Sequence, residues 1–203
     1  MATAADPEVF ARCIAGGGVA VFPADTVYGL ACDPDSREAV ARLYALKGRP
    51  ASQASAVMFF DAALALDSLP ELGARTRALL ERLLPGGVTL LLRNPRGRFP
   101  LACGGDSGTL GLRVPARSVL AGVAEPVLQS SANLRGGPDA RRVADVPAAI
   151  RAGVDLVVDA GELPGTPSTV IDLRGFEAAG AWEVVRAGAV AREAVEKAVA
   201  TTS

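Results

Sequence analysis

Short apolar runs alternate with amphipathic segments along this chain, and glycine, proline or polar clusters separate them. Asp6 to Ala15 predicts a helix, because an N-cap aspartate and a first-turn proline precede apolar residues at helical spacing. Val19 to Phe22 is a short apolar run that predicts a buried strand. Ser36 to Leu46 again has helical spacing behind a serine cap, and it ends at the sequence KGRP, residues 47–50.

Along the rest of the chain, more of the apolar runs predict strands than helices. Three more helices are predicted, at Ala74 to Leu84, Pro147 to Ala152 and Ala191 to Ala200. The predicted strands are Ala56 to Phe60, Val88 to Leu92, Leu110 to Val114, Pro126 to Gln129, Leu156 to Val158, Thr169 to Leu173 and Trp182 to Val185. Several consecutive strands lack room for a crossover helix between them, so some pairs must be antiparallel. We therefore expect an α/β fold with a twisted mixed sheet and flanking helices.

Composition and charge narrow the possible functions. With 203 residues, 50% of them apolar and 21% charged, the chain can bury a substantial core as one domain. The 21 basic and 22 acidic residues nearly cancel, so no bulk attraction to nucleic acid or anionic membrane is expected. Three widely spaced cysteines without a CxxC pair indicate neither a disulfide framework nor a zinc knuckle.

Two absences narrow the function further. The chain has no histidine, which excludes a histidine base, a histidine metal ligand and a Ser-His-Asp triad. It also has no apolar run long enough for a membrane span, and its N-terminus is acidic where a signal peptide would be basic. We therefore expect a cytoplasmic protein without a membrane partner.

Polar residues that break the apolar periodicity collect at the ends of predicted strands, where sites of α/β folds lie. These residues are Asp25, Thr26, Tyr28, Lys47, Arg49, Thr109, Arg113, Ser130, Ser131, Asn133, Ser168 and Arg186. The set is rich in cations and hydroxyls and poor in carboxylates, which favours binding of a polyphosphate together with a carboxylate. The predicted ligand is therefore anionic.

Taken singly, these residues also have ordinary structural explanations. Lys47 and Arg49 suit the C-terminal end of a helix, where cations interact favourably with the helix dipole. Arg113 and Arg186 suit surface ion pairs, and Asn133 suits a cap. The functional interpretation therefore depends on the order and spacing of the motifs.

Seven motifs occur in series: PADTVYGL (23–30), KGRP (47–50), PGGVTLLL (85–92), TLGLRVP (109–115), SSAN (130–133), STVID (168–172) and RAG (186–188). In this order they resemble the YrdC/TsaC/Sua family of threonylcarbamoyl-adenylate synthases, in its short, single-domain form. The resemblance implies a YrdC-like twisted mixed sheet around a concave, positively lined groove. It also implies one domain over residues 1–203, with the motif-bearing core at 19–188 and a C-terminal helix at 190–202.

The resemblance assigns roles to individual residues. Lys47 and Arg49 would be the catalytic pair. The residues expected to bind threonine are Thr26, Tyr28, Met58, Arg113, Ser131 and Ser168. The residues expected to bind ATP are Arg49, Gln53, Thr109, Asn133, Arg141 and Arg186. No residue is assigned as a metal ligand, because no carboxylate cluster is visible, and Mg²⁺ is expected to arrive with ATP.

The implied reaction joins L-threonine, bicarbonate or CO₂, and ATP. The threonine amine forms a carbamate, whose oxygen attacks the α-phosphate and expels pyrophosphate. Positioning and charge neutralisation carry such a displacement, which suits a chain without histidine. The product serves threonylcarbamoyladenosine modification of tRNA, so tRNA-modification proteins, and tRNA or double-stranded RNA, are the expected partners.

The chain departs from the family pattern beside the motifs. Ala24 stands where threonine is usual, and Ala54-Ser55 stand where a Pro-Leu pair is usual. Met58 falls near a pocket histidine, and Arg117-Ser118 replace a His-Pro pair. These changes leave two alternatives open: a divergent paralogue that forms a different carbamoyl-adenylate, and a non-enzymatic RNA-binding protein with a YrdC-like fold.

The short form lacks the additional C-terminal domain that covers the site in the long form. Only one short helix rich in alanine and valine is expected after Arg186. Two loop segments, Gly97 to Ser107 and Gly136 to Arg142, are the candidates for covering the site instead.

Overall fold

The computed structural model describes residues 3–4 and 6–202, and its strands join into one ten-stranded sheet. In chain order the strands are β1 (Thr3–Ala4), β2 (Ala20–Pro23), β3 (Tyr28–Cys32), β4 (Ala56–Met58), β5 (Val88–Arg93), β6 (Thr109–Arg113), β7 (Val127–Ser131), β8 (Leu156–Asp159), β9 (Thr169–Asp172) and β10 (Glu183–Arg186). The helices are α1 (Pro7–Ala15), α2 (Arg37–Lys47), α3 (Ala62–Asp67), α4 (Ala74–Leu83), α5 (Ala148–Gly153), α6 (Phe176–Ala179) and α7 (Arg192–Ala200), and a 3-10 helix covers Val143–Asp145. Within the described residues, no helix combines the length and apolar character needed to cross a bilayer.

The sheet is mixed, as the short connections between predicted strands required. Its order is β1-β8-β2-β3-β7-β4-β6-β5-β9-β10. The pairs β1/β8, β2/β8, β4/β6 and β5/β9 are parallel. The pairs β2/β3, β3/β7, β4/β7, β5/β6 and β9/β10 are antiparallel. Strands that are far apart in sequence are thus neighbours, which brings the motifs of both halves of the chain together.

Helix α2 shows how the local sequence places the first two cations. Ser36 caps its start by accepting a hydrogen bond from the main-chain N–H of Ala39 at 3.3 Å. Gly48 ends it in the left-handed conformation, at φ 61°, which glycine adopts without strain. Lys47 is consequently the last helical residue and Arg49 follows the turn, so both cations sit at one helix end, as predicted.

The predicted helices and strands are present, with ends shifted by a residue or two. Two elements near the site were not predicted. Strand β3 follows a polar turn, and Gly29, its second residue, interrupts the strand pattern. Helix α3 has only six residues and begins after Asp61, whose carboxylate accepts from the N–H of Leu64 at 3.0 Å. The C-terminal helix, Arg192–Ala200, lies inside the predicted range 190–202.

One face of the sheet is covered by most of the helices. Leu90 and Leu92 of β5, and Leu110 and Leu112 of β6, point to this face and are at most 1% exposed. They belong to a core cluster with side chains of α2, α4, α5 and α7. Burial of each such leucine contributes about 1.5–3 kcal/mol, so this face anchors the strands that carry the motifs.

The opposite face is covered over only part of its width. A second core cluster, which contains Phe10 of α1, packs against β2, β3 and β7. On the neighbouring strands, four of the described residues that point to this side stay partly exposed. They are Ala56 of β4, Gly111 of β6, Leu91 of β5 and Val170 of β9. We call this uncovered part the open face.

Candidate functional site

Arg113, at the end of β6, is the buried centre of a first group of polar residues on the open face. Its side chain is 3% exposed. Nη2 donates to the main-chain oxygen of Ala24 and to the hydroxyl of Thr26, both at 2.6 Å, and it pairs with the carboxylate of Asp25. Asp25 also accepts from the main-chain N–H of Ala116 at 2.9 Å. These bonds fold the turn between β2 and β3 against the arginine.

The surroundings of Arg113 are typical of a binding site. Burial lowers the pKa of Arg113, the Asp25 carboxylate opposes this shift, and the charge of Arg186 adds to it. Nε of Arg113 is buried without a hydrogen-bond partner among the described residues. Asp25 has a left-handed φ of 61°, which is uncommon outside glycine. An orphaned donor and a strained residue in one place are more frequent at functional sites than in structural ion pairs.

Ser168 and Arg186 extend this first group. Ser168 precedes β9, is 2% exposed, and shares a hydrogen bond with the hydroxyl of Thr89 at 2.8 Å. Nη2 of Arg186 donates to the main-chain oxygen of Ser168 at 2.7 Å and to its hydroxyl at 3.3 Å. The strand register places Arg113, Thr89 and Arg186 in one row across the open face. Three predicted threonine contacts, Thr26, Arg113 and Ser168, therefore lie together.

Lys47 is the centre of a second group and is 4% exposed. Its ammonium donates to the main-chain and side-chain oxygens of Asn133, at 2.8 and 2.9 Å, and to the main-chain oxygen of Ser131. These bonds use all three of its donors. The side-chain amide of Asn133 donates to the oxygen of Gly137 at 2.7 Å. This bond holds the loop of residues 136–142, one of the two loops expected to cover the site. Burial and the charge of Arg49 lower the pKa of Lys47 from 10.5 to about 8.

Arg49 is held beside this second group by several neighbours. Nη1 donates to the hydroxyl of Ser130 at 2.9 Å, and Nη2 donates to the main-chain oxygen of Ala54. The guanidinium lies over the ring of Tyr44, 5.4 Å from its centroid. The Tyr44 hydroxyl is hydrogen-bonded to that of Ser55 at 3.1 Å. Burial also lowers the pKa of Arg49. The cation is therefore fixed in place before any anion arrives.

The second group meets the open face at Ser131. Register through β7, β4 and β6 places Ser131 and Thr109 in one row of the open face. Arg113 lies four residues after Thr109 on the same side of β6, so its row is about 13 Å away. Ser131, Thr109 and Arg113 therefore share one face of the sheet, and Arg49 lies at its edge, held by the hydroxyl of Ser130.

Thr109 lies at the end of β6 opposite to Arg113. Its hydroxyl donates to Asp106 at 2.6 Å and accepts from Arg174 at 3.2 Å. An open cavity of about 670 Å³ adjoins it, and Trp182 is part of the cavity wall. The cations of the two groups do not line this cavity, so Thr109 is where the cavity meets the open face.

Two predicted ATP contacts lie at the margin of the open face. Gln53 is exposed on the segment that follows Arg49. Arg141 is exposed and packs against Gly165, whose N–H donates to the oxygen of Thr26 at 2.9 Å. Each therefore neighbours one of the groups without belonging to it.

Tyr28 and Met58, expected in the threonine pocket, are core residues with no exposed surface. The Tyr28 hydroxyl donates to the oxygen of Gly161 at 2.8 Å and accepts from the N–H of Ala160 at 3.0 Å. Met58 packs in the second core cluster with Phe22. Contrary to the expectation from the motifs, neither side chain reaches the surface of the open face.

The chain that carries these two polar groups matches a known protein family. The model of the Sua5/YciO/YrdC family, described as telomere recombination, matches residues 12–188. The chain belongs to the Sua5/YciO/YrdC family. The resemblance drawn from the motifs is thereby confirmed, and the matched range contains both polar groups.

Relatives and solved structures of the Sua5/YciO/YrdC family are also similar to this chain in sequence and in fold. A threonylcarbamoyl-AMP synthase of Stutzerimonas stutzeri is 37% identical over 177 residues, which cover 82% of this chain and 92% of the relative. One of Nitrosococcus oceani is 35% identical, with 73% of this chain and 82% of the relative covered. The crystal structure of Pyrococcus abyssi Sua5 complexed with L-threonine superposes with a TM-score of 0.82 at 28% identity. That match covers 95% of this chain and 56% of Sua5. The predicted fold class is therefore confirmed.

Three contact residues in this Sua5/YciO/YrdC chain received no individual role from the motifs, although Asp25 and Ser130 are among the polar residues at strand ends. Asp25 lies inside the first motif, but its direction depends on a left-handed backbone that the sequence does not reveal. Tyr44 lies three residues before Lys47 on α2, where an aromatic residue usually indicates core packing. Ser130 precedes the serine that the motif pointed to. A search for side chains able to hold the predicted cations could have found all three.

Two departures from the family pattern act through the main chain. The main-chain oxygen of Ala24 accepts from Arg113, and that of Ala54 accepts from Arg49. Since any residue supplies a main-chain oxygen, the two alanines preserve these contacts.

The first loop considered as a cover, residues 97–107, is fastened beside the site. Asn94, which is 4% exposed, donates to the main-chain oxygen of Ser107 at 3.1 Å. The N–H of Ser55 donates to the oxygen of Ala102 at 2.8 Å. The loop therefore supports the segment that holds Arg49.

Proposed function

We propose that this protein is a threonylcarbamoyl-AMP synthase that converts L-threonine, bicarbonate or CO₂, and ATP into threonylcarbamoyl-AMP and pyrophosphate. The observation that carries the proposal is the arrangement of the Arg113 group on the open face and of the Lys47 group where Ser131 meets that face. Relatives that bear this enzyme name match most of the chain. We place the reaction in the cytoplasm, where tRNA-modification proteins take up the product.

The Arg113 group supplies the proposed threonine pocket. A threonine carboxylate needs a cation, and charge-assisted bonds to arginine are among the stronger hydrogen bonds in proteins. Arg113 and Arg186 provide two positive charges, and the hydroxyls of Thr26 and Ser168 can bond to polar atoms of the amino acid. Pairing with Asp25 holds Arg113 in one orientation before the substrate binds.

The Lys47 group supplies the proposed phosphate site. Arg49 presents a fixed guanidinium, and below a pH of about 8 Lys47 adds a second charge. Because the Lys47 donors already hold Ser131 and Asn133, its role is to shape this loop and to contribute charge. The remaining proposed ATP contacts are Gln53 and Arg141 at the margin of the open face, Thr109 at the far end of β6, and Arg186, which also belongs to the Arg113 group.

The chemistry then requires two steps. The threonine amine bonds to the carbon of CO₂ and releases a proton, or it bonds to the carbon of bicarbonate and its proton leaves with the hydroxyl group as water; either route gives a carbamate. A carbamate oxygen next bonds to the α-phosphorus, while the bond from that phosphorus to the bridging oxygen breaks and its electron pair leaves with pyrophosphate. Fixed cations favour this displacement because negative charge builds on the departing group.

The described residues do not fit a resident metal ion. Among them, no group of three or more His, Cys, Asp or Glu side chains could hold one, whereas Mg²⁺ is bound through carboxylates and substrate phosphates. We therefore propose that magnesium enters as part of the substrate, MgATP.

Pyrophosphate release tests the proposal. The full chain is incubated with MgATP, L-threonine and bicarbonate, and each substrate is omitted in turn. Release that requires both threonine and bicarbonate supports the proposal, and release without threonine overturns it. Arg49→Ala and Arg113→Ala should each lower kcat/KM at least about a hundredfold. Arg142→Ala removes an exposed arginine paired with Glu162 and should leave activity unchanged.

A further inference from the structure

Gly111 is a residue of the open face that the fold itself does not explain. It is the middle residue of β6, and a glycine inside a strand costs stability because its flexible backbone is ordered without any side-chain packing. Its backbone is not among those with a positive φ. A Cβ added to it would lie 3.4 Å from Cα of Ala56 and 3.5 Å from the oxygen of Ser55, which are ordinary contact distances. Neither conformation nor packing requires glycine here.

The other glycine within a strand shows the contrast. A Cβ at Gly29 would lie 3.0 Å from Nε2 of Gln129 and 3.0 Å from a ring carbon of Phe22, in a fully packed region. Gly29 is therefore explained by close packing between strands. Gly111 has no such neighbour, and the space above it belongs to the open face.

Gly111 lies midway between the two polar rows. On the same side of β6, Thr109 is two residues before it and Arg113 is two residues after it, so each is about 7 Å away along the strand. On the neighbouring strands its partners are Ala56 of β4 and Leu91 of β5. Gly111 and Ala56, the two smallest residues, therefore lie side by side next to Leu91, and the surface above them is low between the row of Thr109 and the row of Arg113.

We propose that Gly111 is a clearance position for the reaction, and that the carbamate oxygen and the α-phosphorus meet directly above it. The inference rests on the proposed function. A ligand that joins a nucleotide held near Thr109 to an amino acid held by Arg113 must cross this part of the floor. A side chain at position 111 would stand in its path, which is the usual reason for glycine where a ligand approaches a strand closely.

Two variants of the full chain test the inference, Gly111→Ala and Gly111→Val. Because misplacing reacting atoms by about 1 Å can cost about a hundredfold, kcat/KM for pyrophosphate release should fall at least about tenfold in the first variant and about a hundredfold in the second. Tm should stay at or above that of the wild type, since alanine restricts the unfolded chain and valine favours strands. Gly16→Ala, at the exposed end of α1, is the matched control and should keep full activity.

Three results would overturn the inference that Gly111 provides clearance for the reaction. If Gly111→Val keeps kcat/KM within about threefold of an active wild type, the clearance role is lost while the proposed function stands. If Tm falls by several degrees in both variants together with activity, glycine is needed for the strand instead. If the wild type releases no pyrophosphate with MgATP, threonine and bicarbonate, the proposed function fails and the clearance role fails with it.

Discussion

The ammonium of Lys47 donates two hydrogen bonds to Asn133, one to its main-chain oxygen at 2.8 Å and one to its side-chain oxygen at 2.9 Å. Together with the bond to Ser131, they tie the end of α2 to the loop after β7. One buried lysine thus determines the shape of the proposed phosphate site. The charge of that site therefore depends on whether Lys47 is protonated.

The affinity for MgATP should therefore depend on pH. Burial, followed by the charge of Arg49, lowers the pKa of Lys47 to about 8, so the free protein loses this charge as the pH rises through that value. A bound anion favours the charged form, so binding takes up a proton above pH 8. If only the charged form binds, the affinity at pH 9 should be about tenfold lower than at pH 7. Calorimetry in buffers of different ionisation enthalpy measures both quantities.

Lys47→Met is the control for this prediction. The variant has no titrating group at the position, so its weaker binding should be nearly independent of pH between about 7 and 9. Equal wild-type affinity at both pH values, without proton uptake, would contradict the role of Lys47.

The ion pair between Asp25 and Arg113 should dominate the stability of the turn after β2. Both side chains are at most 9% exposed, and removing one partner of a buried pair leaves an uncompensated charge. Asp25→Asn keeps the size of the side chain and tolerates the left-handed backbone, so it isolates the charge. We expect urea unfolding to show a loss of about 3 kcal/mol. In the double variant Asp25→Asn/Arg113→Met, part of that loss should be recovered, whereas strictly additive losses would show that the pair is not coupled.

Tyr44 should act on ATP through Arg49. Tyr44→Phe keeps the aromatic face beneath the guanidinium, whereas Tyr44→Leu removes it. Since an interaction of this kind is worth about 0.5–2 kcal/mol, KM for ATP should rise about threefold or more in the leucine variant only. KM for threonine should not change, because Arg113 lies in the other group. Parallel increases in both KM values would indicate general damage to the fold.

Asn94 should control the loop that supports Arg49. It accepts from the N–H of Arg98 at 2.9 Å and donates to the oxygens of Arg98 and Ser107, at 3.0 and 3.1 Å. Asn94→Ala leaves these buried groups unpaired, so the free energy of unfolding should fall by about 1–3 kcal/mol. Hydrogen exchange should accelerate in residues 95–108 and stay unchanged in β7. Unchanged exchange in the loop would show that other contacts hold it.

Much of the fold could be predicted from sequence because caps and apolar spacing are local signals. The N-cap Ser36 and the terminating Gly48 defined α2, and with it the positions of Lys47 and Arg49. Strand β3 was not predicted because Gly29 breaks its apolar pattern. The order of strands in the sheet was not predicted because β7 and β4 pair across about seventy residues of intervening chain. Register of this kind is decided by packing, which no local pattern encodes.

The sequence predicted which residues belong to the candidate site better than it predicted how those residues are arranged. Motif order brought Arg113, Ser168 and Asn133 into one set, but only the folded chain shows which of them touch. Tyr28 and Met58 lie on neighbouring parts of the sheet but point to opposite faces: Tyr28 packs in the core that most of the helices cover, and Met58 packs in the cluster that contains Phe10 of α1. Side-chain alternation gives the face of a strand, whereas the cover over it comes from elements distant in sequence.

The most direct test of the account is detection of the product itself. The full chain is incubated with MgATP, ¹⁵N-threonine and ¹³C-bicarbonate, and the nucleotides are analysed by mass spectrometry. We expect one adenylate that carries both labels, formed in equal amount to pyrophosphate and absent in Arg113→Ala. An adenylate without the ¹³C label, or pyrophosphate without any labelled adenylate, would contradict it.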